Sequence, residues 1–335
     1  MIRTLIVDDS PLVRSILRDF LESEGSFEIV GEAEDGRDSV DKARNLNPDL
    51  ITMDYEMPVM NGLDAIVEIR KFSQCGIVVI STHDTAKMAY EAAVKGAHEF
   101  FAKDNFTSKI NDSQRSEIFN TLKHIAKIKK KFPMQQETAE QNGNIHRKIK
   151  CVVIASSTGG PMALCKLFSV LPADFPVPIL LVQHNTSGFD KGFVQWLDGY
   201  SHLNIQIAEE GIYPSKGNVY VGPTEKHLII GSSGIAFDNS DPVNSQKPAA
   251  DFLFKSAAEQ YGNSLVSVVL TGMGNDGAEG TRFVKNAGGI TIAQDQATSM
   301  IYGMPEAAVE TGCVDFVLPL NEIALKLISL TGGES

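Results

Sequence analysis

Paired cysteines are what this chain most plainly lacks. Only Cys75, Cys151, Cys165 and Cys313 occur in 335 residues, with no CxxC pair and no metal-ligand spacing. That excludes a zinc knuckle and a disulfide framework, and the four read as small buried hydrophobes of a reducing cytosol. No apolar run approaches the length that spans a bilayer, so no membrane insertion is expected. The start, Met1-Ile2-Arg3-Thr4, leads at once into a short apolar strand and acids, unlike a secretory signal. Positive charge is scarce as well: 30 Lys and Arg face 42 Asp and Glu, a formal net charge of -12. Nucleic acid is therefore not an expected partner, since binding it would need a basic patch to overcome that acidity. The one basic run, Lys127 to Lys131, falls at the end of an expected helix, where the helix dipole favours it. What remains is the composition of an ordinary soluble protein, 43% hydrophobic and 21% charged, long enough for two cores and expected in the cytoplasm.

Short apolar runs bounded by acids or glycine recur in the first third: Leu5 to Val7, Ile29-Val30, Leu50 to Met53, Ile77 to Ile80 and Phe100 to Ala102. Helix-period segments lie between them, such as Leu12, Ile16, Phe20 and Leu63, Ile66, Ile69. Buried strands alternating with helices predict a parallel sheet covered on both faces. Ile118, Leu122, Ile125 and Ile128 then mark one more amphipathic helix. Apolar content collapses over Pro133 to Lys150, a composition that cannot bury enough surface to fold alone and reads as a linker. Order resumes at Cys151 to Ala155, followed by apolar runs at Ile179 to Val182, Val219 to Val221, Leu228 to Ile230, Val266 to Leu270 and Ile290 to Ala293. Helices are expected at Ala249 to Gln260 and Ala278 to Asn286, with hairpin content between Ile205 and Phe237. The expected division is 1–125, a linker at 126–148, and 149–335, both domains α/β with doubly wound, mainly parallel sheets.

In the first domain Asp8 and Asp9 follow the first strand, Asp54 ends the third, Ser81 ends the fourth and Lys103 follows the fifth. In a parallel sheet all fall at the carboxyl edge, where ligand sites of open α/β folds gather. Three carboxylates there repel one another unless a cation sits among them, and hard oxygen ligands suit Mg²⁺. A carboxylate beside Mg²⁺ and a lysine can attack a phosphoryl donor, because both cations offset charge on the transferring group. A single Asp at a strand end is more often a turn or helix cap; five residues at four strand ends favour a site.

In the second domain Ser156-Ser157-Thr158-Gly159-Gly160-Pro161 joins a buried strand to a helix. A serine on such a turn is exposed at the sheet edge, and the amides at the helix start suit an oxyanion. On spacing alone the run is equally a phosphate loop or an N-cap, and it does not choose between Ser156 and Ser157. His184 follows the strand at Ile179, and Asp276 lies in Thr271-Gly272-Met273-Gly274-Asn275-Asp276-Gly277 after another. Serine, histidine and acid at strand ends can converge as nucleophile, base and orienting carboxylate, although Asp276 could equally cap the helix after it. His227 precedes its apolar run, so in a parallel sheet it would lie at the opposite edge.

Val7-Asp8-Asp9-Ser10, Met53-Asp54-Tyr55-Glu56-Met57-Pro58 and Phe101-Ala102-Lys103 resemble the signatures of response-regulator receiver domains. The resemblance implies a flavodoxin-like fold, Asp54 as phospho-acceptor, and Asp8, Asp9, Asp54 and the Glu56 backbone carbonyl as Mg²⁺ ligands. Ser81 and Lys103 become the switch and charge-pairing residues, and a histidine kinase the phosphodonor. Asp104 stands where family members often have proline. The serine, histidine and acid motifs, with Gly288-Gly289, Gln294-Asp295 and Tyr302-Gly303-Met304-Pro305, resemble the Rossmann-like catalytic domain of chemotaxis protein-glutamate methylesterases. That likeness implies a serine hydrolase that demethylates glutamate methyl esters, and deamidates glutamines, on methyl-accepting chemotaxis receptors. It chooses Ser157 over Ser156, with His184 as base, Asp276 as orienting acid, and oxyanion donors among Thr158, Gly159, Gly160 and Met273. No cofactor is implied for the hydrolytic site. Asn185-Thr186, Gln246 and Glu306 depart from the usual Met-Pro, histidine and arginine of that family.

Overall fold

The computed structural model describes residues 1–82, 86–107, 110–127, 148–185, 188–243 and 246–332. The chain divides into two compact units, Met1–Lys131 and Phe132–Ser335.

The first unit runs β1 (Ile2–Val7), α1 (Pro11–Glu22), β2 (Phe27–Ala33), α2 (Gly36–Leu46), β3 (Leu50–Asp54), α3 (Gly62–Arg70), β4 (Gly76–Ser81), α4 (Ala86–Lys95), β5 (Glu99–Ala102) and α5 (Asp112–Lys127). Local chemistry sets the helix starts. Asp35 accepts from the Asp38 N–H at 2.9 Å and Asn61 from the Asp64 N–H at 2.9 Å, each capping its helix. Pro11 opens α1, where its missing N–H costs nothing, and Asn47 ends α2 in the left-handed region. The five strands are parallel in the order β2-β1-β3-β4-β5. One core face gathers Leu5, Val7, Met53 and Ile66, the other Ile6, Phe20, Ile80 and Leu122. Ile118, Leu122 and Ile125 of α5 are buried as their spacing predicts; Ile128 and most of the expected linker lie outside the described residues. The last helix runs past residue 125, to Lys127.

The second unit runs β6 (Cys151–Ser156), α6 (Gly160–Phe168), β7 (Ile179–Gln183), α7 (Asp190–Asp198), β8 (Asn204–Ile207), β9 (Asn218–Val221), β10 (His227–Gly231), β11 (Gly234–Asp238), α8 (Ala250–Tyr261), β12 (Leu265–Val269), α9 (Ala278–Asn286), β13 (Ile290–Gln294), α10 (Gly303–Glu310), β14 (Phe316–Leu318) and α11 (Leu320–Thr331). Seven strands form a parallel sheet in the order β14-β13-β12-β6-β7-β9-β8. The hairpin expected between Ile205 and Phe237 is β10 with β11, antiparallel, whereas β8 and β9 join the main sheet. The three residues of β14 gave no apolar run long enough to register as a strand. Leu253, Phe254 and Ala257 of α8 pack with Ala155, Leu180, Val269 and Val284 in one core cluster. No helix among the described residues is long and apolar enough to cross a membrane.

Phe254 is fully buried, and Gly280 lies so close that an added Cβ would fall 2.6 Å from the Phe254 Cβ. Phe254→Ala should therefore destabilise this unit by about 3–5 kcal/mol. The only tryptophan, Trp196, lies on α7 of the same unit. Its fluorescence during denaturant unfolding should show the midpoint falling; an unchanged midpoint would contradict the packing described.

Candidate functional site

In the first unit, β2 and β3 lie on opposite sides of β1, so the helices that follow β1 and β3 leave on opposite faces and open a crevice at the carboxyl edge. Asp8 and Asp9 directly follow β1, Asp54 ends β3, Ser81 ends β4 and Lys103 follows β5, all at that edge. One carboxylate oxygen from each of Asp8, Asp9 and Asp54 lies within 4.8 Å of the others. Asp8 and Asp54 are buried while Asp9 is exposed. Lys103 donates through Nζ to Asp54 Oδ2 at 2.9 Å and forms an ion pair with Asp8 Oδ2 at 2.7 Å that lies outside hydrogen-bond geometry. The Tyr55 N–H donates to Asp54 Oδ1 at 2.8 Å and the Ser10 N–H to Asp8 Oδ1 at 3.0 Å. Burial, with the nearby Asp8 charge, pushes the Asp54 carboxyl up to about 6, against the pull of Lys103 and the Tyr55 N–H. Burial lowers Lys103, but its interactions with Asp8 and Asp54 outweigh that and hold the ammonium above its ordinary value. One lysine thus falls short of neutralising this cluster. Ser81 is buried, Glu56 is exposed two residues past β3, and Asp104 sits in a short 3-10 turn, Lys103–Phe106, preceded by a trans peptide bond.

The second unit repeats the device at another reversal of strand order. β12 and β7 flank β6 on opposite sides, and the three sequence-predicted residues follow these three strands. Ser156 pairs with Gln183 across β6 and β7, so Ser157 and His184 begin on neighbouring strands about 4.8 Å apart. The two serines differ sharply. Ser156 is fully buried and donates through Oγ to Gln183 Oε1 at 2.7 Å. Ser157 lies at the turn, and its hydroxyl makes no hydrogen bond among the described residues. Crowding fixes that turn: an added Cβ on Gly160 would collide with Gln183 Oε1, and one on Gly272 with Met304 Sδ and the Ser157 side chain.

His184 Nε2 lies 2.7 Å from Asp276 Oδ2, and the other ring nitrogen, Nδ1, is buried without a hydrogen-bond partner. Asp276 also accepts the Ala250 N–H on Oδ2 at 2.6 Å and the Asp251 N–H on Oδ1 at 3.1 Å. It does cap a helix, but α8 rather than α9, the helix that follows it. Of the four expected oxyanion amides, that of Gly160 is already spent on the Ser157 carbonyl at 2.7 Å and is withdrawn. The Thr158 and Gly159 amides make no backbone hydrogen bond among the described residues, and Gly159 takes a left-handed φ of 76° ahead of α6. Met273 lies between Gly272 and Gly274 on the loop that abuts Ser157.

His227 opens the antiparallel hairpin rather than a parallel strand, and it is fully buried. Its Nδ1 accepts the Ala249 N–H at 3.0 Å and its ring stacks on Phe252, a structural role that steadies the start of α8. Gln246 precedes α8, its N–H bonded to Val243 O at 2.9 Å. Glu306 is exposed in the first turn of α10, and Thr186 lies outside the described residues.

Three residues at the site gave no separate signal in the sequence. Gln183 donates through Nε2 to the carbonyls of Ser157 at 3.1 Å and His184 at 2.9 Å. Thr271 bridges the Thr158 carbonyl and the Ile301 backbone. Asp251 reaches the start of α9. Only the adjacency of Gln183 to His184 could have drawn notice.

Comparison with known proteins finds a family for each half of the chain. Residues 4–113 match the response regulator receiver domain family, and residues 152–327 match the CheB methylesterase family. The chain is 39% identical over 336 residues to the protein-glutamate methylesterase/protein-glutamine glutaminase of Pyrococcus horikoshii, covering 96% of this chain and 91% of that one. It is 38% identical over 344 residues to the protein of the same name from Thermotoga maritima, covering 98% of each. The crystal structure of the Thermotoga maritima CheB methylesterase catalytic domain superposes with a TM-score of 0.53 at 42% identity, covering 55% of this chain and all of that one. Fold and site together define a response regulator whose output domain is of the hydrolase kind. The match along nearly the whole length places it within that class: the chain belongs to the CheB methylesterase family.

The raised Asp54 carboxyl carries a consequence for stability. A folded-state value near 6 lies above the ordinary 3.8, so the stability linked to its neutral form is complete below about pH 4 and is lost as pH rises through 6. In chelator, Asp54→Asn should melt above the wild type at pH 8 and alongside it at pH 4, measured by calorimetry. A gap that does not widen with pH would refute the burial account.

Proposed function

We propose that the second unit hydrolyses glutamate methyl esters on methyl-accepting chemotaxis receptors in the cytoplasm, and deamidates receptor glutamines, with Ser157 as nucleophile. The observation that carries this reading is the His184–Asp276 hydrogen bond, with Nδ1 left buried and unpartnered at the strand end beside Ser157. A buried ring nitrogen without a donor is costly unless the reaction uses it. Ser157 Oγ attacks the γ-carbonyl of the glutamyl ester as His184 Nδ1 takes its proton. Asp276 holds the imidazole through Nε2 and offsets the positive charge that forms. The Thr158 and Gly159 amides, with that of Met273, receive the charge on the carbonyl oxygen. His184 returns the proton to the departing methanol, then takes one from the water that releases glutamate from the acyl-enzyme.

The first unit supplies control. Asp54 is the phospho-acceptor, and a phosphorylated histidine kinase the donor. Carboxylate oxygens within 4.8 Å of one another, incompletely neutralised by Lys103, fit a hard divalent cation. Asp8, Asp9 and Asp54 with the Glu56 carbonyl would hold Mg²⁺, which when bound supplies positive charge beside the transferring phosphoryl group. Lys103 pairs with the phosphoryl oxygens and Ser81 turns to hydrogen-bond them. The new contacts shift the receiver between two states, and the unphosphorylated state restrains the hydrolase.

Methanol release from methylated receptor membranes tests the chemistry. Ser157→Ala, His184→Ala and Asp276→Asn should each lose about 10³-fold or more in rate, while Ser156→Ala retains substantial activity. A dead Ser156→Ala with an active Ser157→Ala would move the nucleophile by one residue. A nearly normal Asp276→Asn would reduce that residue to a cap of α8.

Acetyl phosphate with Mg²⁺ should place one acid-labile phosphoryl group on the wild type and none on Asp54→Asn. It should also raise methanol release within the roughly 5- to 150-fold range of ordinary allosteric coupling. Equal labelling of Asp54→Asn would move the acceptor elsewhere, and a labelled wild type with an unchanged rate would remove the regulatory link.

A further inference from the structure

Asp276 does not stand alone among the carboxylates at this edge. Asp251, in the first turn of α8, gives its backbone N–H to Asp276 Oδ1 at 3.1 Å. Its own carboxylate reaches back the other way, where Oδ1 accepts the Gly277 N–H at 3.0 Å and the Gly280 N–H at 2.6 Å. Two helix starts therefore exchange caps. Asp276, on the loop before α9, satisfies the amides that open α8, and Asp251, on α8, satisfies the amides that open α9. Gly277 takes a left-handed φ of 89°, so the residue directly after Asp276 is tied to Asp251 at a point where the backbone turns sharply.

We propose that Asp251 is a positioning residue for the hydrolytic site: by anchoring Gly277 and Gly280 it fixes the Asp276 carboxylate against His184. It touches neither the ester nor the nucleophile and acts through Asp276. The proposal rests on the reading of Ser157, His184 and Asp276 as a catalytic triad.

The electrostatics show that the arrangement is not simply comfortable packing. Burial and the Asp276 charge push the Asp251 carboxyl up to about 6, against the stabilising N–H groups of Gly280 and Gly277. A cavity of about 430 Å³ opens beside it, lined also by Asn275, Glu279, Arg282 and Glu310. The groups facing Asp251 are thus Asp276 on its own loop, Glu279 and Arg282 from α9, and Glu310 from α10. Along α8, Lys255 is turned toward the Phe283 ring. A pure cap would be served as well by asparagine, which accepts the same two N–H groups without the charge.

The test uses the full chain with Mg²⁺ and acetyl phosphate, which lift the restraint of the unphosphorylated receiver, and a fluorophosphonate that labels activated serines, so that no receptor is needed. Asp251→Ala should label Ser157 at least about tenfold more slowly than the wild type, since misplacing a reacting group by ~1 Å can cost about 10²-fold. Asp251→Asn keeps both acceptor contacts to the Gly277 and Gly280 amides and should label within about threefold of the wild type. A folded Asp251→Ala that labels at the wild-type rate overturns the proposal. Where Asp251→Ala does not fold, Asp251→Glu decides, because it keeps the charge but moves the acceptor oxygen by one methylene: labelling slowed about tenfold sustains the proposal, and the wild-type rate overturns it. A wild type that labels no faster than Ser157→Ala fails differently, because then the nucleophile reading falls and takes the positioning role with it.

Discussion

A buried carboxylate is tolerable only where donors converge on it, and the hydrolytic half of this chain is arranged around one such group. Asp276 is almost wholly inaccessible and accepts three hydrogen bonds, from His184 Nε2 and from the first two amides of α8. The donors come from two parts of the chain, the end of β7 and the start of α8, and meet a carboxylate on the loop after β12. The charge satisfies a helix start that would otherwise leave its amides unpaired, and the helix start makes the charge bearable. One group thereby couples packing of α8 to the orientation of the imidazole.

The two units meet the same electrostatic problem with different means. At the β1–β3 crevice the carboxylates of Asp8, Asp9 and Asp54 converge with Lys103 as partner, and Asp54 stays raised to about 6. At the β12–β6–β7 edge the partners are backbone amides, and the strain passes to Asp251, also raised to about 6. A cluster short of positive charge suits transient binding of a cation and a phosphoryl group. In the proposed reaction, a carboxylate held by fixed dipoles supports the charge that forms on histidine with nothing to reorganise.

Close approach decides which serine is buried and which reaches the sheet edge. Gly160 packs against Gln183, and Gln183 in turn takes up the Ser156 hydroxyl and holds the carbonyls of Ser157 and His184. Ser156 becomes an interior strut, and the residue after it is delivered to the edge. Gly272 and Met304 close the other side, with Gly272 O receiving the amides of Gly303 and Met304. Gly160 and Gly272, with no side chain, let these segments approach one another.

Strand and helix placement was legible because period, length and punctuation agree locally. Most parallel strands of both sheets and the helix Ala278–Asn286 follow from apolar runs and their flanks alone, while β8 reads as hairpin and β14, three residues long, is too short to register. Clustering of Asp8, Asp54, Ser81 and Lys103 at one edge followed as well, since strand ends in a parallel sheet share an edge whatever the strand order. The pairwise partnerships were beyond such reasoning. Ser156 and Ser157 have the same chemistry and adjacent positions, and only the pairing of β6 with β7 buries one and leaves the other half-buried at the edge. Asp276 reads as a cap for the helix after it, yet it caps the helix before it, because β12 returns beside β6 and brings that loop against the start of α8. His227 reads by the parallel rule, yet it belongs to a hairpin outside the sheet. The sequence by itself determined the elements and the edge on which the chemistry collects. Only the tertiary structure decided which donor meets which carboxylate, because that depends on strand order and helix crossing, which no local pattern encodes.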